Sequence, residues 1–213
     1  MASKKYIVVE GPIGVGKSSL AKLLAAEFQA RTLFETVEEN PFLGKFYQDR
    51  ETYAFQNQLF FLLNRYRQQR DLLQPDLFSQ ATVADYLFAK DKIFATLTLS
   101  AEELALYQQI YQLLDTRLPK PDLVVYLQAR PDILYKRLKK RDKSYERSVT
   151  LEYLTEVAQA YSQFFFHYDE SPLLVVNTSE IDFVASSRDL ADLVREINNM
   201  GSGTQHYIPL GSR

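Results

Sequence analysis

The chain has 213 residues, a formal net charge of −2, 46% hydrophobic residues, two histidines and no cysteine. This length fits one domain with a full hydrophobic core, and the charge disfavours a polymeric nucleic acid as partner. The lack of cysteine excludes disulfides, thiolate metal sites and a cysteine nucleophile, and two histidines disfavour a histidine triad or a zinc site.

The first elements of the chain carry its most specific motif. Residues 6–9 are a short β-branched run typical of a buried strand, and residues 20–28 have helical periodicity. Between them, residues 11–18 match the phosphate-binding pattern G-x-x-x-x-G-K-[ST] in its required strand-to-helix context. Backbone N–H groups of such a loop surround a phosphate, Lys17 would reach the terminal phosphates, and Ser18 would bind Mg²⁺. We therefore expect this segment to bind a nucleoside triphosphate. The alternative is a glycine-rich turn that matches the motif by chance.

The rest of the chain alternates between strands and helices. Further strands are predicted at residues 32–35, 81–85, 123–127 and 173–177. Helices are predicted at residues 41–49, 52–73, 87–97, 100–117 (opened by a capping box, Ser100 to Glu103), 131–141, 151–168 and 189–198. This order predicts a P-loop three-layer α/β/α fold with a five-stranded parallel sheet flanked by helices. We expect one domain over residues 1–200 and a flexible C-terminal tail over residues 201–213.

Two carboxylates follow predicted strands, Glu35 after the second and Asp85 after the third. Ligand sites of parallel sheets lie beyond the carboxyl ends of the strands. Glu35 and Asp85 should therefore meet the phosphate loop at one edge of the sheet. The alternatives are a solvated acid for Glu35 and a helix cap for Asp85.

A phosphate loop alone does not separate kinases from switch GTPases or ATP-driven machines. The chain has no N-K-x-D motif to bind guanine after a strand, and its third strand ends Ala84-Asp85-Tyr86 instead of in the Asp-Glu typical of larger ATPases. A small-molecule kinase is therefore favoured. A nucleoside monophosphate kinase would need a further cationic cluster for the acceptor phosphate, and no clear one is present outside the basic segment near residue 140.

Several segments together resemble the deoxynucleoside kinase family, and within it the bacterial deoxyguanosine/deoxyadenosine kinase branch. The similarity extends from about residue 6 to residue 198. It is carried by EGPIGVGKS, ETVEENPFLGKFY, FFLLNRY, ADY and PKPDLVVYL, and by the segment around Arg137 and Arg141. Their order and spacing are more specific than any one of them.

The resemblance implies a general base and a metal site. Glu35 would accept the proton of the nucleoside 5′-hydroxyl, and Asp85 would assist Ser18 at the Mg²⁺. Tyr86 stands where many members of the family have arginine. That departure leaves open which cation, if any, orients the 5′-oxygen and Glu35.

The resemblance also implies a nucleoside site. Tyr47 and Glu146 would bind the sugar 3′-hydroxyl, although Tyr47 alone is equally well explained by helix packing. Gln58, Arg65 and Asp91 would read the base, with Arg65 paired to Asp91; a structural ion pair and a surface amide are the alternative.

The resemblance also implies residues for the donor nucleotide, namely a basic lid over the triphosphate and a loop that holds the adenine. Lys17, Arg137 and Arg141 would stabilise the charge on the transferred phosphoryl group while Glu35 acts as the general base. Lys143 is a weaker member of the lid, because Asp142 precedes it and places an acid there. The adenine would lie against the loop of Asp182 and Phe183. The predicted nucleotide-binding residues of the loop are Gly11, Gly14, Val15, Gly16, Lys17, Ser18 and Ser19.

Together these features predict ATP- and Mg²⁺-dependent 5′-phosphorylation of a purine deoxyribonucleoside, deoxyguanosine before deoxyadenosine. A broad or pyrimidine-preferring deoxynucleoside kinase and a non-catalytic nucleotide-binding regulator stay as alternatives. We expect a homodimer, as in the family, and no membrane partner. The first residues show no apolar signal segment, so we expect a cytoplasmic protein.

Overall fold

Strands form where β-branched and apolar residues occur together, and amphipathic helices connect them. The computed structural model describes residues 4–36, 39–70, 72, 81–142 and 146–209. The strands are β1 (Tyr6–Glu10), β2 (Arg31–Leu33), β3 (Thr82–Ala84), β4 (Leu123–Gln128), β5 (Leu173–Asn177) and β6 (Thr204–Tyr207). The helices are α1 (Lys17–Glu27), α2 (Leu43–Gln48), α3 (Arg50–Arg70), α4 (Lys90–Thr98), α5 (Ala101–Asp115), α6 (Pro131–Arg141), α7 (Leu151–Phe166) and α8 (Ser187–Asn199).

The six strands form one parallel sheet in the order β2-β3-β1-β4-β5-β6. Strand β1 lies between β3 and β4, with Val8 in register with Ala84 on one side and Val124 on the other. The loop after β1 is therefore placed between the carboxyl ends of two neighbours. Connecting segments that leave β2 and β3 reach the same edge, which is where a parallel sheet holds its ligands.

Both faces of the sheet are covered. Every residue of β1 and β3 is buried, and successive side chains of a strand point to opposite faces. The main hydrophobic core joins these strands to helices that include α1, α6, α7 and α8. A second cluster, around Leu62, Tyr107 and Tyr111, packs α3 and α5 beside α4. The predicted three-layer α/β fold is confirmed.

The C-terminal segment differs from the prediction. Thr204–Tyr207 form a sixth strand parallel to β5, so the prediction of five strands and of a flexible tail from residue 201 is wrong for these residues. The strand is largely exposed and carries a polar sequence, so no apolar run announces it. It is held through the backbone, beginning with the bond from Leu173 N to Gly203 O at 2.9 Å. Residues 210–213 lie outside the described residues.

The helix boundaries follow local signals closely. Ser100 and Glu103 form the predicted capping box, with the Ser100 hydroxyl accepting from Glu103 N and the Glu103 carboxylate accepting from Ser100 N. Helix α4 begins at Lys90, later than predicted, because Asp85 and the residues after it form a connecting segment.

None of the described helices is long and apolar enough to span a bilayer. The single domain over residues 1–200 stays a prediction.

Candidate active site

The phosphate loop, residues 11–18, depends on backbone conformations that favour glycine. Gly14 has a φ of 85° and Gly16 a φ of 107°, both in the left-handed region. A Cβ on Gly14 would lie 2.9 Å from the Leu134 carbonyl oxygen, and one on Gly16 would lie 3.0 Å from the Phe183 ring. The loop therefore requires glycine at both positions, and α1 begins directly after it at Lys17.

Lys17 folds back over this loop. Its ammonium donates to the carbonyl oxygens of Gly11 at 2.8 Å and Pro12 at 3.2 Å. Burial and the positive charge of Lys90 lower the pKa of Lys17 to about 8, although nearby carboxylates, Glu10 foremost, oppose the shift. The nearby carboxylates neutralise the positive charge of Lys17 only in part. An ammonium group of this kind beside a helix N-terminus binds phosphate oxygens favourably.

Asp85 joins the phosphate loop to the segment that carries Glu35. Its Oδ2 accepts a hydrogen bond from the Ser18 hydroxyl, and its Oδ1 accepts one from Glu35 N at 2.8 Å. The predicted meeting of Glu35, Asp85 and the phosphate loop at one edge of the sheet is confirmed. Asp85 does not cap a helix, since its carboxylate is used between these two segments.

The Ser18 hydroxyl and the Asp85 carboxylate fit a magnesium site. Both are hard oxygen ligands, and they already lie in hydrogen-bond contact. Among the described residues no group of three or more His, Cys, Asp and Glu side chains could enclose a metal ion. An ion held by few protein oxygens, with substrate phosphates and water completing its shell, is the usual arrangement for Mg²⁺.

Glu35 lies in a buried cluster of charges. Its Oε1 accepts from Arg65, with Nε at 2.8 Å, and its Oε2 accepts from Lys90 Nζ at 2.8 Å. Burial would raise the pKa of Glu35, but the charges of Arg65 and Lys90 outweigh it and hold that pKa well below its ordinary value. Glu35 is therefore ionised at neutral pH.

Arg65 also pairs with Asp91, as the resemblance implies, through its NH1 group and Asp91 Oδ1. Asp91 is fully buried, and its Oδ2 has no hydrogen-bond partner among the described residues. Burial raises the pKa of Asp91 to about 6, against the lowering effect of Arg65. One guanidinium thus connects the predicted general base with the predicted base-reading carboxylate.

Tyr86 has no catalytic geometry of its own. It is fully buried, and its hydroxyl donates to Gln68 Oε1 at 3.0 Å. Gln68 in turn donates to the Phe34 carbonyl oxygen at 3.2 Å, directly before Glu35. Tyr86 therefore supports the backbone that carries the base, while the cations that contact Glu35 come from α3 and α4.

Four of the residues predicted to bind the nucleoside, Tyr47, Gln58, Arg65 and Glu146, line one pocket with the phosphate loop. The fifth, Asp91, is fully buried against Arg65 and is not part of the pocket wall. Gln58 is buried and donates to Thr98 Oγ1 at 3.3 Å, and Glu146 is buried and accepts from Arg141 Nε at 3.1 Å. The Tyr47 ring packs edge-on against Tyr153. The pocket walls include Ile13, Gly14, Lys17, Ser18, Glu35, Tyr47, Asn57, Gln58, Phe61, Arg65, Asp85, Lys90, Phe94, Arg141, Glu146 and Tyr153.

The two predicted lid arginines have different surroundings. Arg137 donates to the Thr178 carbonyl oxygen at 2.9 Å and, over longer distances, to those of Val15 and Ile181. It thereby ties the phosphate loop to the loop after β5. Arg141 reaches the pocket and pairs with Glu146. Lys143 lies outside the described residues.

The remaining predicted nucleotide-binding residues lie on the donor side. Val15 is fully buried, and Ser19 is exposed at the start of α1. Asp182 Oδ1 accepts from the backbone N–H groups of Val184 and Ala185. Phe183 is buried with its ring against Gly16, so its contact with the phosphate loop is structural. Direct binding of adenine by Asp182 and Phe183 stays a prediction.

Two residues of the site were missed by sequence reasoning. Lys90 contacts Glu35, and the only available signal was its position next to Asp91 near the end of the third strand. Glu10, fully buried at the end of β1, accepts from Gly11 N at 2.8 Å, Leu87 N at 2.7 Å and the Tyr161 hydroxyl at 3.1 Å. It stood beside the motif in the sequence, but its partners come from distant segments.

The phosphate loop shares its pocket with the ionised carboxylate of Glu35. This combination defines a P-loop phosphotransferase with room for a small acceptor. The comparison with known families narrows this class. The chain belongs to the deoxynucleoside kinase family, whose model, described as "Deoxynucleoside kinase", matches residues 7–201.

Individual relatives agree over nearly the whole length. The deoxyguanosine kinase of Bacillus subtilis (strain 168) is 34% identical over 205 residues, covering 94% of this chain and 99% of the relative. The deoxyguanosine kinase of Lactobacillus johnsonii is 31% identical over 217 residues, covering 95% and 97%. A solved structure of deoxyadenosine kinase from M. mycoides superimposes with a TM-score of 0.80 at 24% identity, covering 92% of this chain and 100% of that one. The last similarity concerns the fold.

Proposed function

We propose that the protein transfers the γ-phosphoryl group of ATP to the 5′-hydroxyl of a purine deoxyribonucleoside, with deoxyguanosine ahead of deoxyadenosine. One observation carries the proposal: Glu35 and the phosphate-loop residues Lys17 and Ser18 line the same pocket. The names of the relatives support the acceptor class, since the first two are deoxyguanosine kinases. Family membership supports ATP as the donor.

Glu35 is the proposed general base. Its pKa lies below the ordinary range, so it is a weak proton acceptor, and this suits a loose transition state in which the hydroxyl proton moves late. Catalysis then depends mainly on the position of the hydroxyl and on charge stabilisation. Ser18 and Asp85 would hold the Mg²⁺, which supplies neutralisation of phosphate charge when bound.

The acceptor end of the pocket supports recognition of a planar, polar base. Gln58 offers an amide with both donors and an acceptor, and Arg65, which is paired with the buried Asp91, offers a guanidinium. A base that leaves such buried groups unpaired is rejected strongly. Glu146 and Tyr47, which line the same pocket, are the proposed ligands of the sugar 3′-hydroxyl.

A competition assay tests this proposal. The protein receives ATP, Mg²⁺ and an equimolar mixture of the four deoxynucleosides, and the products are identified by mass. We expect dGMP to form fastest, then dAMP, with pyrimidine products last. Dominant dCMP or dTMP would favour the broad or pyrimidine-preferring alternative, and a complete lack of product would favour a nucleotide-binding regulator.

We also propose that the protein is a homodimer that works in the cytoplasm. Leu106 and Leu113 lie seven residues apart on α5, share one face, and are 50% and 71% exposed. Two large apolar side chains on one helix face suit a protein interface. Light scattering after size exclusion should give twice the 24.7 kDa chain mass, and Leu113→Glu should halve it. A monomeric wild-type protein would contradict the dimer.

A further inference from the structure

Lys90 occupies an unusual place for a lysine. It is the first residue of α4, its side chain is only 7% exposed, and its ammonium lies 2.8 Å from Glu35 Oε2. A cation in the first turn opposes the helix dipole, and burial of its charge carries a desolvation cost. These costs are offset in part by Glu35, yet that carboxylate is already satisfied on its other oxygen by Arg65.

The geometry places the Lys90 ammonium near the attacking oxygen. A hydroxyl that gives its proton to Glu35 must lie about 2.6–3.2 Å from a carboxylate oxygen. The Lys90 Nζ is within hydrogen-bond distance of Oε2. A hydroxyl on the same oxygen is then at most about 6 Å from Nζ, and the flexible lysine stem can close the remaining gap.

The charges around Lys90 point in the same direction. Lys90 and Lys17 line one pocket, and each is a cation close to the phosphate loop. Two like charges at one pocket repel each other. A polyanion bound between two such ammonium groups relieves that repulsion. The negative charge that develops on the phosphoryl group in the transition state is stabilised most.

We propose that Lys90 is a catalytic residue that donates hydrogen bonds to the attacking 5′-oxygen and to the transferred phosphoryl group. The inference rests on the proposed function. In the step, the bond from the 5′-oxygen to the γ-phosphorus forms while the bond to the β,γ-bridging oxygen breaks, and the electron pair leaves with ADP. The hydroxyl proton passes to Glu35, and Lys90 keeps its own proton throughout.

This role answers the question that Tyr86 left open, namely which cation, if any, orients the 5′-oxygen. Arg65, the other cation on Glu35, is held on two sides by Glu35 and Asp91. Lys90, by contrast, has Glu35 as its one anionic partner among the ion pairs of the described residues. Lys90 is therefore the cation that can change partners when substrates arrive.

The test compares Lys90→Met, Lys90→Arg and the matched control Lys92→Met in the full-length protein. Lys92 lies on the same helix, is 42% exposed and faces Glu170. Single-turnover rates with ATP, Mg²⁺ and deoxyguanosine report the transfer step, and thermal unfolding reports the fold. We expect Lys90→Met to lower the transfer rate about 100- to 1,000-fold with KM changed far less, Lys90→Arg to restore at least a tenth of the rate, and Lys92→Met to stay within about twofold.

The split between rate and stability separates this role from a structural one. A residue that acts on the transferred phosphoryl group should lower the single-turnover rate in Lys90→Met without an equal loss of thermal stability, and the retained charge in Lys90→Arg should restore the rate. An unchanged transfer rate in Lys90→Met, or an equal loss in both Lys90 variants together with equal loss of thermal stability, overturns the inference. If the wild-type protein forms no nucleotide product, the proposed function has failed instead.

Discussion

Around the phosphate loop, the proposed donor half of the site, the backbone does most of the positioning, whereas in the proposed acceptor half charged side chains hold one another. Gly14 and Gly16 shape the phosphate loop, and Arg137 is bonded mainly to carbonyl oxygens. Across the pocket, Glu35, Arg65 and Lys90 pair among themselves. Backbone sites are ready for a ligand, but paired charges must exchange partners when one arrives. We therefore expect mutations in the donor half to affect mainly ATP binding and stability, and those in the acceptor half to affect mainly nucleoside recognition and turnover.

Glu35→Gln should have the largest effect. The amide keeps the shape of the side chain but no longer accepts a proton, so kcat should fall about 100- to 10,000-fold. ATP binding, measured by calorimetry, should change little, because the donor half is intact. Glu39→Gln, at an exposed position nearby, is the control. Full activity in Glu35→Gln would rule out general-base catalysis by this residue.

Gly16→Ala should break the donor half. An alanine at a φ of 107°, with its Cβ 3.0 Å from the Phe183 ring, should lower the free energy of unfolding by roughly 1–3 kcal/mol and weaken ATP binding. Urea unfolding and ATP titration measure the two effects. Gly44→Ala is the control, since its Cβ would meet nothing within 4 Å. Equal behaviour of the two variants would contradict the strained-loop argument.

Gln58→Ala should affect the acceptor half without unfolding it. Among the described residues the Gln58 side chain forms one hydrogen bond, of 3.3 Å to Thr98, so the free energy of unfolding should fall by no more than about 1 kcal/mol. The kcat/KM for deoxyguanosine should fall roughly tenfold, the equivalent of about 1.4 kcal/mol of recognition. Gln56→Ala, on the exposed side of the same helix, should leave it unchanged. An unchanged kcat/KM in Gln58→Ala would remove Gln58 from the base site.

The smallest expected signal is proton uptake by Lys17. Because its pKa is lowered to about 8, about half of the Lys17 side chains are neutral at pH 8. Bound phosphates should raise that pKa, so ATP binding at pH 8 should take up roughly half a proton. Calorimetry in buffers of different ionisation enthalpy measures this uptake. It should vanish in Lys17→Arg, which stays protonated; identical uptake in both proteins would assign it to another group.

Local signals made much of the fold predictable. Patterns of only a few residues identify the phosphate loop, the strands around it and the capping box of Ser100. Asp85 could be placed beside Ser18 because parallel strands bring their carboxyl ends together. Strand β6 could not be predicted in this way, since its polar side chains are exposed and its pairing is a backbone matter.

The charge cluster shows why the site was only partly predictable. Arg65 and Asp91 could be paired from the family resemblance, yet nothing in the sequence indicated that Arg65 also contacts Glu35. Lys90 was missed because its partner is 55 residues away along the chain. Contacts between buried charges on different elements depend on how helices pack on the sheet, and a pattern of residue types does not encode that packing directly.

Strand β6 has a practical consequence for handling the protein. The sequence alone would suggest a truncated protein that ends at Met200. Such a truncation would remove the strand that pairs with β5 and leave Leu173–Asn177 as an unpaired edge strand prone to aggregation. Affinity tags are better fused ahead of β1, and crystallisation trials should retain the last residues.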